Sequence, residues 1–89
     1  MYFVYILYSE SIDQFYVGQT KDLDDRIARH NQAKSLSTKR GVPWRLEKVI
    51  GFESKKQCLQ AERWLKKMKS RRILIQVIEE TIDLKTVIG

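Results

Sequence analysis

The sequence predicts a single small domain of the α+β class. Its 89 residues, 43% of them hydrophobic, suffice for one modest core. Aromatic and branched residues gather in short runs at 2–8, 15–20 and 44–52 that read as strands. The segments between and after those runs carry helix-start signals and apolar spacing close to the helical period. The composition fits an ordinary globule rather than a disordered chain. No apolar stretch approaches the roughly 20 residues that span a bilayer. The start, MYFVYILY, lacks a basic leader and a small-residue cleavage site, so no signal peptide is expected. One cysteine, Cys58, excludes an internal disulfide and a multi-cysteine metal cluster, and the cytoplasm is the expected compartment.

Residues 2–8 form the first strand, Ser9 to Gln14 a polar connection, and Phe15 to Thr20 a second strand, which together make a β-hairpin. With the turn centred on Glu10-Ser11, Tyr5 falls opposite Tyr16 and both phenols share one face. Lys21-Asp22 opens a helix that runs to about Gln32, with Asp22, Asp24 and Asp25 at its positive end. Leu23 and Ile27 are its buried pair. Arg26 and His30 are one helical turn apart and flank that pair, so both lean toward the sheet. KSLSTKRGVP is a basic loop with turn residues Gly41 and Pro43, and Trp44 seats it against the core. WRLEKVIGF is the third strand.

Ser54 to Gln57 is a capping box that starts a second helix. Its apolar stripe is Cys58, Ala61, Leu65 and Met68. Glu62 falls inside that stripe, where a carboxylate is costly to bury unless it meets a cation, a metal or good donors. Arg71 to Glu80 reads as a third helix that uses Leu74, Val77 and Ile78. The domain is expected to span residues 1–80, with 81–89 a loosely packed tail.

The charge is unevenly placed. Residues 34–72 hold 13 lysines and arginines against Glu47, Glu53 and Glu62, a net of +10 in a chain whose total is +6. Such a basic segment is the footprint of polyanion binding. Lys39, Arg40, Arg45, Lys66, Lys67, Arg71 and Arg72 are the expected phosphate contacts.

Tyr5, Tyr16, Arg26, His30 and Glu62 therefore point toward a common region. Singly each has a bland explanation: strand packing for the tyrosines, a pair with Asp22 for Arg26, a structural histidine, a salt bridge from Glu62 to Lys66. Together they meet the needs of metal-assisted phosphodiester hydrolysis. A carboxylate can hold one Mg²⁺ or Mn²⁺ through oxygen, leaving water and phosphate to complete the octahedron. An arginine fork stabilises charge on the phosphate. A phenol ordinarily titrates near pH 10, so ionising one at neutral pH takes about 4 kcal/mol of stabilisation. Neighbouring Arg⁺, metal and an imidazole acceptor are the expected sources. Either phenol could be the base; the reading leans to Tyr5, with His30 accepting its proton.

At these residues the sequence resembles the GIY-YIG nuclease superfamily. VYI (Val4, Tyr5, Ile6) and YVG (Tyr16, Val17, Gly18) are similar to its paired motifs. QTKDLDDRIARHN is similar to its next motif, with Arg26 at the catalytic arginine and His30 at a following His/Tyr position. QAERWLKK places Glu62 at the metal-binding glutamate. The likeness covers nearly the whole chain, STKRGVPW included, and is closest to the small stand-alone bacterial branch. It implies an α/β sandwich with a three-stranded antiparallel sheet flanked by helices. It also implies divalent-metal-dependent cleavage of nucleic acid with the tyrosines near the attacking water. Gly18 would be structural, allowing close approach at the strand end.

The chain departs from the pattern in three ways. Val4 stands at the first glycine, Gln19 where several members carry lysine, and no appended DNA-binding domain is expected. Weak binding with little sequence preference, DNA before RNA, is expected, or a protein partner that supplies specificity. The rival class is a nucleic-acid-binding module with the same fold and little turnover, which would need the basic loop and helix but not Tyr5, Arg26, His30 and Glu62.

Overall fold

Val4, Tyr5, Ile6 and Leu7 are each 0% exposed, although neighbours along a strand face opposite ways. A strand buried on both faces must lie inside a sheet covered on both sides. That is its position in the computed structural model of the chain, which describes residues 1–34, 36 and 38–88. Strand β1 (Tyr2–Ser9) pairs antiparallel with β2 (Gln14–Thr20) on one side and β3 (Arg45–Phe52) on the other, in the order β2-β1-β3. Helix α1 (Leu23–Asn31) follows β2, and α2 (Lys55–Met68), α3 (Arg71–Ile78) and α4 (Leu84–Ile88) follow β3. The fold is the expected α+β sandwich with a three-stranded antiparallel sheet.

Each face has its own core. Val4 and Ile6 pack with Val17, Phe52, Cys58, Ala61, Leu65, Val77 and Leu84. Tyr5 and Leu7 pack with Trp44, and Tyr16, Leu23, Ile27 and Val42 close around them. Burial of side chains this large is worth about 1.5–3 kcal/mol apiece, which makes β1 the organising element.

The helix starts follow side-chain chemistry. Asp22 accepts from the Asp25 backbone N–H at 3.2 Å, Ser54 from Gln57 at 3.3 Å and Ser70 from Ile73 at 3.2 Å. Lys69 adopts a left-handed backbone (φ 48°) and stops α2 one residue past Met68. Met68 is consequently 41% exposed and is not part of the buried stripe.

Two further expectations are corrected. The hairpin pairs Tyr5 with Gly18 and Tyr16 with Leu7, rather than the tyrosines with each other. The connection holds residues 10–13, with Asp13 left-handed at φ 51°, so the partner strand slides by two positions. A slide of two preserves the face, whereas a slide of one would have put Tyr16 on the other side. The tail is not loose: Leu84 of α4 is 2% exposed and sits in the core with Cys58 and Ala61. Ser35, Ser37 and Gly89 lie outside the described residues, so those parts of the basic loop and tail have no structural account. No helix among the described residues is long and apolar enough to cross a membrane.

Candidate active site

The register that separates the tyrosines in sequence brings their rings together in space. Tyr5 crosses its sheet partner Gly18, and a Cβ at Gly18 would fall into the Tyr5 phenol. The position must therefore be glycine although its backbone is ordinary strand. In an open strand, Gly→Ala is stabilising through the unfolded chain. Gly18→Ala is expected to do the reverse, costing about 1–3 kcal/mol through overpacking. In urea its unfolding midpoint should fall with the slope unchanged.

Beyond Gly18 the Tyr5 hydroxyl meets His30, with Oη 2.9 Å from Nε2. The other ring nitrogen, Nδ1, is 2.7 Å from Oγ1 of Thr38. Tyr5, His30 and Thr38 are all buried. The Thr38 carbonyl accepts from the Trp44 indole N–H at 2.7 Å. Asn31, the last residue of α1, holds Trp44 in turn: its Oδ1 accepts from the Trp44 backbone N–H at 2.6 Å and its Nδ2 donates to the Trp44 carbonyl at 3.1 Å. Trp44 does seat the loop, as its place in the sequence suggested. Thr38 escaped the sequence reading, because its only signal was a hydroxyl eight residues after the histidine it meets.

Burial dominates the titration of these groups. It pushes the Tyr5 phenol well above its ordinary range, helped by the neighbouring Tyr16 hydroxyl and the negative charge of Glu62 and opposed by Arg26. The depression expected from Arg26 and an imidazole is absent in the free protein, where Tyr5 is a neutral phenol. Burial, and after it the Arg26 charge, lowers His30, which is therefore a neutral imidazole near pH 7.

Tyr16 borders the same space. Its ring lies 6.4 Å from that of Tyr5 and 5.0 Å from that of His30. Lys66 of α2 reaches over the Tyr16 ring at 5.9 Å and pairs with Glu62 at 3.2 Å. Tyr5, Tyr16, His30, Glu62 and Arg26 thus converge where α2 crosses the β2 edge. Arg26 is exposed and has no carboxylate partner within 4 Å among the described residues, so the bland pairing with Asp22 is not formed.

Among the described residues Glu62 is the carboxylate whose charge reaches Tyr5, and its side chain is 19% exposed. No group of three or more His, Cys, Asp or Glu that could hold a metal exists among the described residues. The donor chemistry fits a hydrated Mg²⁺ or Mn²⁺, which needs one hard carboxylate and leaves the other positions to water and phosphate. The Lys66 pair does not oppose this. It is a helical i,i+4 contact with a half-exposed lysine, of a kind worth only about 0.3–0.5 kcal/mol.

The profile of the GIY-YIG catalytic domain matches residues 1–73. The chain belongs to the GIY-YIG family. UPF0213 proteins are similar to it. The protein YsiG of Lactococcus lactis subsp. lactis is 33% identical over 82 residues, covering 91% of this chain and 78% of the relative. A protein of Streptococcus pneumoniae is 38% identical over 56 residues, covering 62% of this chain and 57% of the relative. The solution structure of the UPF0213 protein BH0048 from Bacillus halodurans is 34% identical, with a TM-score of 0.56 over 89% of this chain and 84% of that one. Membership in the GIY-YIG family gives the chain a nuclease-type function.

The seven residues expected to contact phosphate fall into two groups in this GIY-YIG domain. Arg45 pairs with Glu47 at 3.0 Å and Glu10 at 3.9 Å, Arg71 pairs with Asp13, and Lys66 with Glu62. Arg45 and Arg71 also bracket the Tyr8 ring, 5.4 and 6.0 Å from its centroid. Lys39, Arg40, Lys67 and Arg72 are exposed and have no carboxylate partner among the described residues. A groove of about 370 Å³ runs from Tyr16 and Lys66 past Phe15 and Lys69 to Arg71, so it joins the candidate site to the cationic hairpin end.

Proposed function

We propose that this GIY-YIG domain is a divalent-metal-dependent endonuclease that hydrolyses nucleic-acid phosphodiesters, DNA before RNA, with little sequence preference. The observation that carries the reading is the convergence of Tyr5, Tyr16, His30, Arg26 and Glu62. A binding module would have no use for a buried phenol tied to an imidazole. Glu62 would hold the ion, which when bound supplies charge neutralisation at the phosphate and the leaving oxygen.

The protein's own groups do the rest. Arg26 is free of carboxylates and grips the scissile phosphate. Its charge beside Tyr5 also favours the phenolate form of that phenol. Tyr5 passes its proton to His30 Nε2, and the phenolate takes a proton from the water that attacks phosphorus. The leaving 3′-oxygen is protonated from solvent. Tyr16 packs against His30 and keeps the ring in place. Lys39, Arg40, Lys67 and Arg72 hold flanking phosphates without reading bases, while Arg45, Lys66 and Arg71 join when substrate displaces their carboxylates.

The test is incubation of the protein with labelled single-stranded, duplex and branched DNA and RNA, with and without Mg²⁺ or Mn²⁺, at several salt concentrations. Metal-dependent internal cleavage is expected. Log affinity should fall linearly with log salt, by about 0.7–0.9 per phosphate neutralised. Salt-sensitive binding without cleavage would make the chain a binding module, and salt-independent binding would remove the phosphate contacts.

A further inference from the structure

We propose that Thr38 is a positioning residue that selects the tautomer of His30, keeping the ring proton on Nδ1 so that Nε2 is bare toward Tyr5. The inference rests on the nuclease reading for its consequence in the reaction, while the hydrogen-bond chain belongs to the free protein.

The buried proton of Tyr5 favours one tautomer over the other. Tyr5 is a neutral phenol, 0% exposed, and its O–H must be donated to something. Among the described residues the one acceptor within reach of it is His30 Nε2, at 2.9 Å. Arg26 stands beside it but is a donor and cannot accept. A neutral imidazole has one N–H and one bare nitrogen, so a bare Nε2 puts the proton on Nδ1. The Nδ1–H then needs an acceptor, and Thr38 Oγ1 is 2.7 Å away in a place as sealed as the ring itself. The opposite order, with Nε2–H facing Tyr5 and the Thr38 hydroxyl donating to a bare Nδ1, would leave the phenolic proton without a destination. A threonine hydroxyl, unlike a phenol in the plane of its ring, can rotate its own proton to a nearby backbone carbonyl.

Thr38 can hold this post because it is itself held. Its carbonyl is fixed by the Trp44 indole, and that ring lies against Gly41, where a Cβ would collide with it. The two hydrogen bonds from Asn31 tie Trp44 back to α1, the helix that carries His30. Ring and hydroxyl are therefore referred to the same frame.

The choice of hydroxyl rather than carboxylate has a chemical result. A carboxylate at Nδ1 would raise the basicity of His30 at rest, whereas a neutral acceptor does not. During the reaction the Tyr5 O–H bond breaks, its electron pair stays on Oη, and the proton forms the Nε2–H bond. The ring becomes an imidazolium with two N–H donors, one to the phenolate and one to Thr38, both charge-assisted. Without an acceptor at Thr38 the second N–H would be buried and unpaired.

His30 is the chain's only histidine, so ¹⁵N-histidine labelling with long-range ¹H–¹⁵N correlation reads its tautomer with no assignment step. The wild-type protein is expected to be protonated at Nδ1. Thr38→Val deletes the acceptor at nearly constant volume. It should introduce an Nε2-protonated population and lower single-turnover cleavage by about 10²-fold at unchanged substrate affinity. Thr38→Ser should restore both. A wild-type spectrum protonated at Nε2 overturns the proposal and needs neither cleavage nor a stable variant. A folded Thr38→Val that keeps the pure Nδ1 tautomer, or that cuts at the parental rate, also overturns it. If the wild-type protein cuts no nucleic acid, the nuclease reading fails, and the tautomer spectra still decide what Thr38 does.

Discussion

Glu62→Gln is expected to bind nucleic acid as tightly as the parent and to lose its metal-dependent cleavage. The amide keeps the shape of the side chain and one weak oxygen ligand but removes the negative charge on which a reluctantly dehydrating divalent ion depends. Folding should survive, since the only charge contact broken among the described residues is the half-exposed pair with Lys66. The ion's contribution is several kcal/mol of transition-state stabilisation, so the rate should drop by about 10³-fold or more. Single-turnover cleavage against Mn²⁺ or Mg²⁺ concentration, paired with binding by fluorescence anisotropy, separates the two effects. Unchanged turnover would remove the role assigned to Glu62.

Tyr5→Phe is expected to remain folded and to cut at least about 10²-fold more slowly, the usual size of a lost general base. Phe fills nearly the same space over Gly18, so packing is conserved and the oxygen alone is tested. A moderate loss of stability accompanies it, about 1–3 kcal/mol, because His30 Nε2 is left buried without its partner. Tyr16→Phe is the comparison. Its phenol is half-buried, and its ring contacts, not an imidazole bond, are what join it to His30. Tyr16→Phe should therefore lose much less rate. Arg26→Ala should also slow cleavage, and combined with Tyr5→Phe the losses should be far from additive, as for groups that act as a unit. If both Phe variants cut at the parental rate, the tyrosines are strand residues and the binding-module reading is the better one.

The parts legible in the sequence were those that depend on local chemistry or on the side-chain period. Asp22 and Ser54 announce their helices because the cap bond closes within three residues. The buried face of α2 follows from Cys58, Ala61 and Leu65. The shared face of Tyr5 and Tyr16 could be read even with the wrong turn, because a two-residue slide leaves the parity of the strand intact. What escaped depends on separation in space. Nothing near Met68 says that Lys69 will turn left-handed and end the helix. Nothing in TIDLKTVIG says that Leu84 finds Cys58 and Ala61. Thr38 is one hydroxyl among several in a loop, and only the fold brings it to His30. The ionisation of Tyr5 was misjudged for the same reason: the sequence names Arg26 as a neighbour but does not show how completely the phenol is sealed.

The central place of β1 has one more consequence, for the way the molecule opens. Its backbone is hydrogen-bonded to a strand on each side, and its side chains are clamped from both faces. Segments with that environment exchange their amide protons only when the whole domain unfolds, whereas loops outside the elements open at a fraction of that free energy. Tyr5 thus belongs to the last part of the protein to come apart. Thr38 belongs to a loop between α1 and β3 and is retained by a few hydrogen bonds. The two ends of one proton path therefore rest on different kinds of support, a strand paired on both sides at one end and side-chain hydrogen bonds at the other. A transient opening of the loop would break the path at His30 while the strand, and the phenol on it, stayed folded.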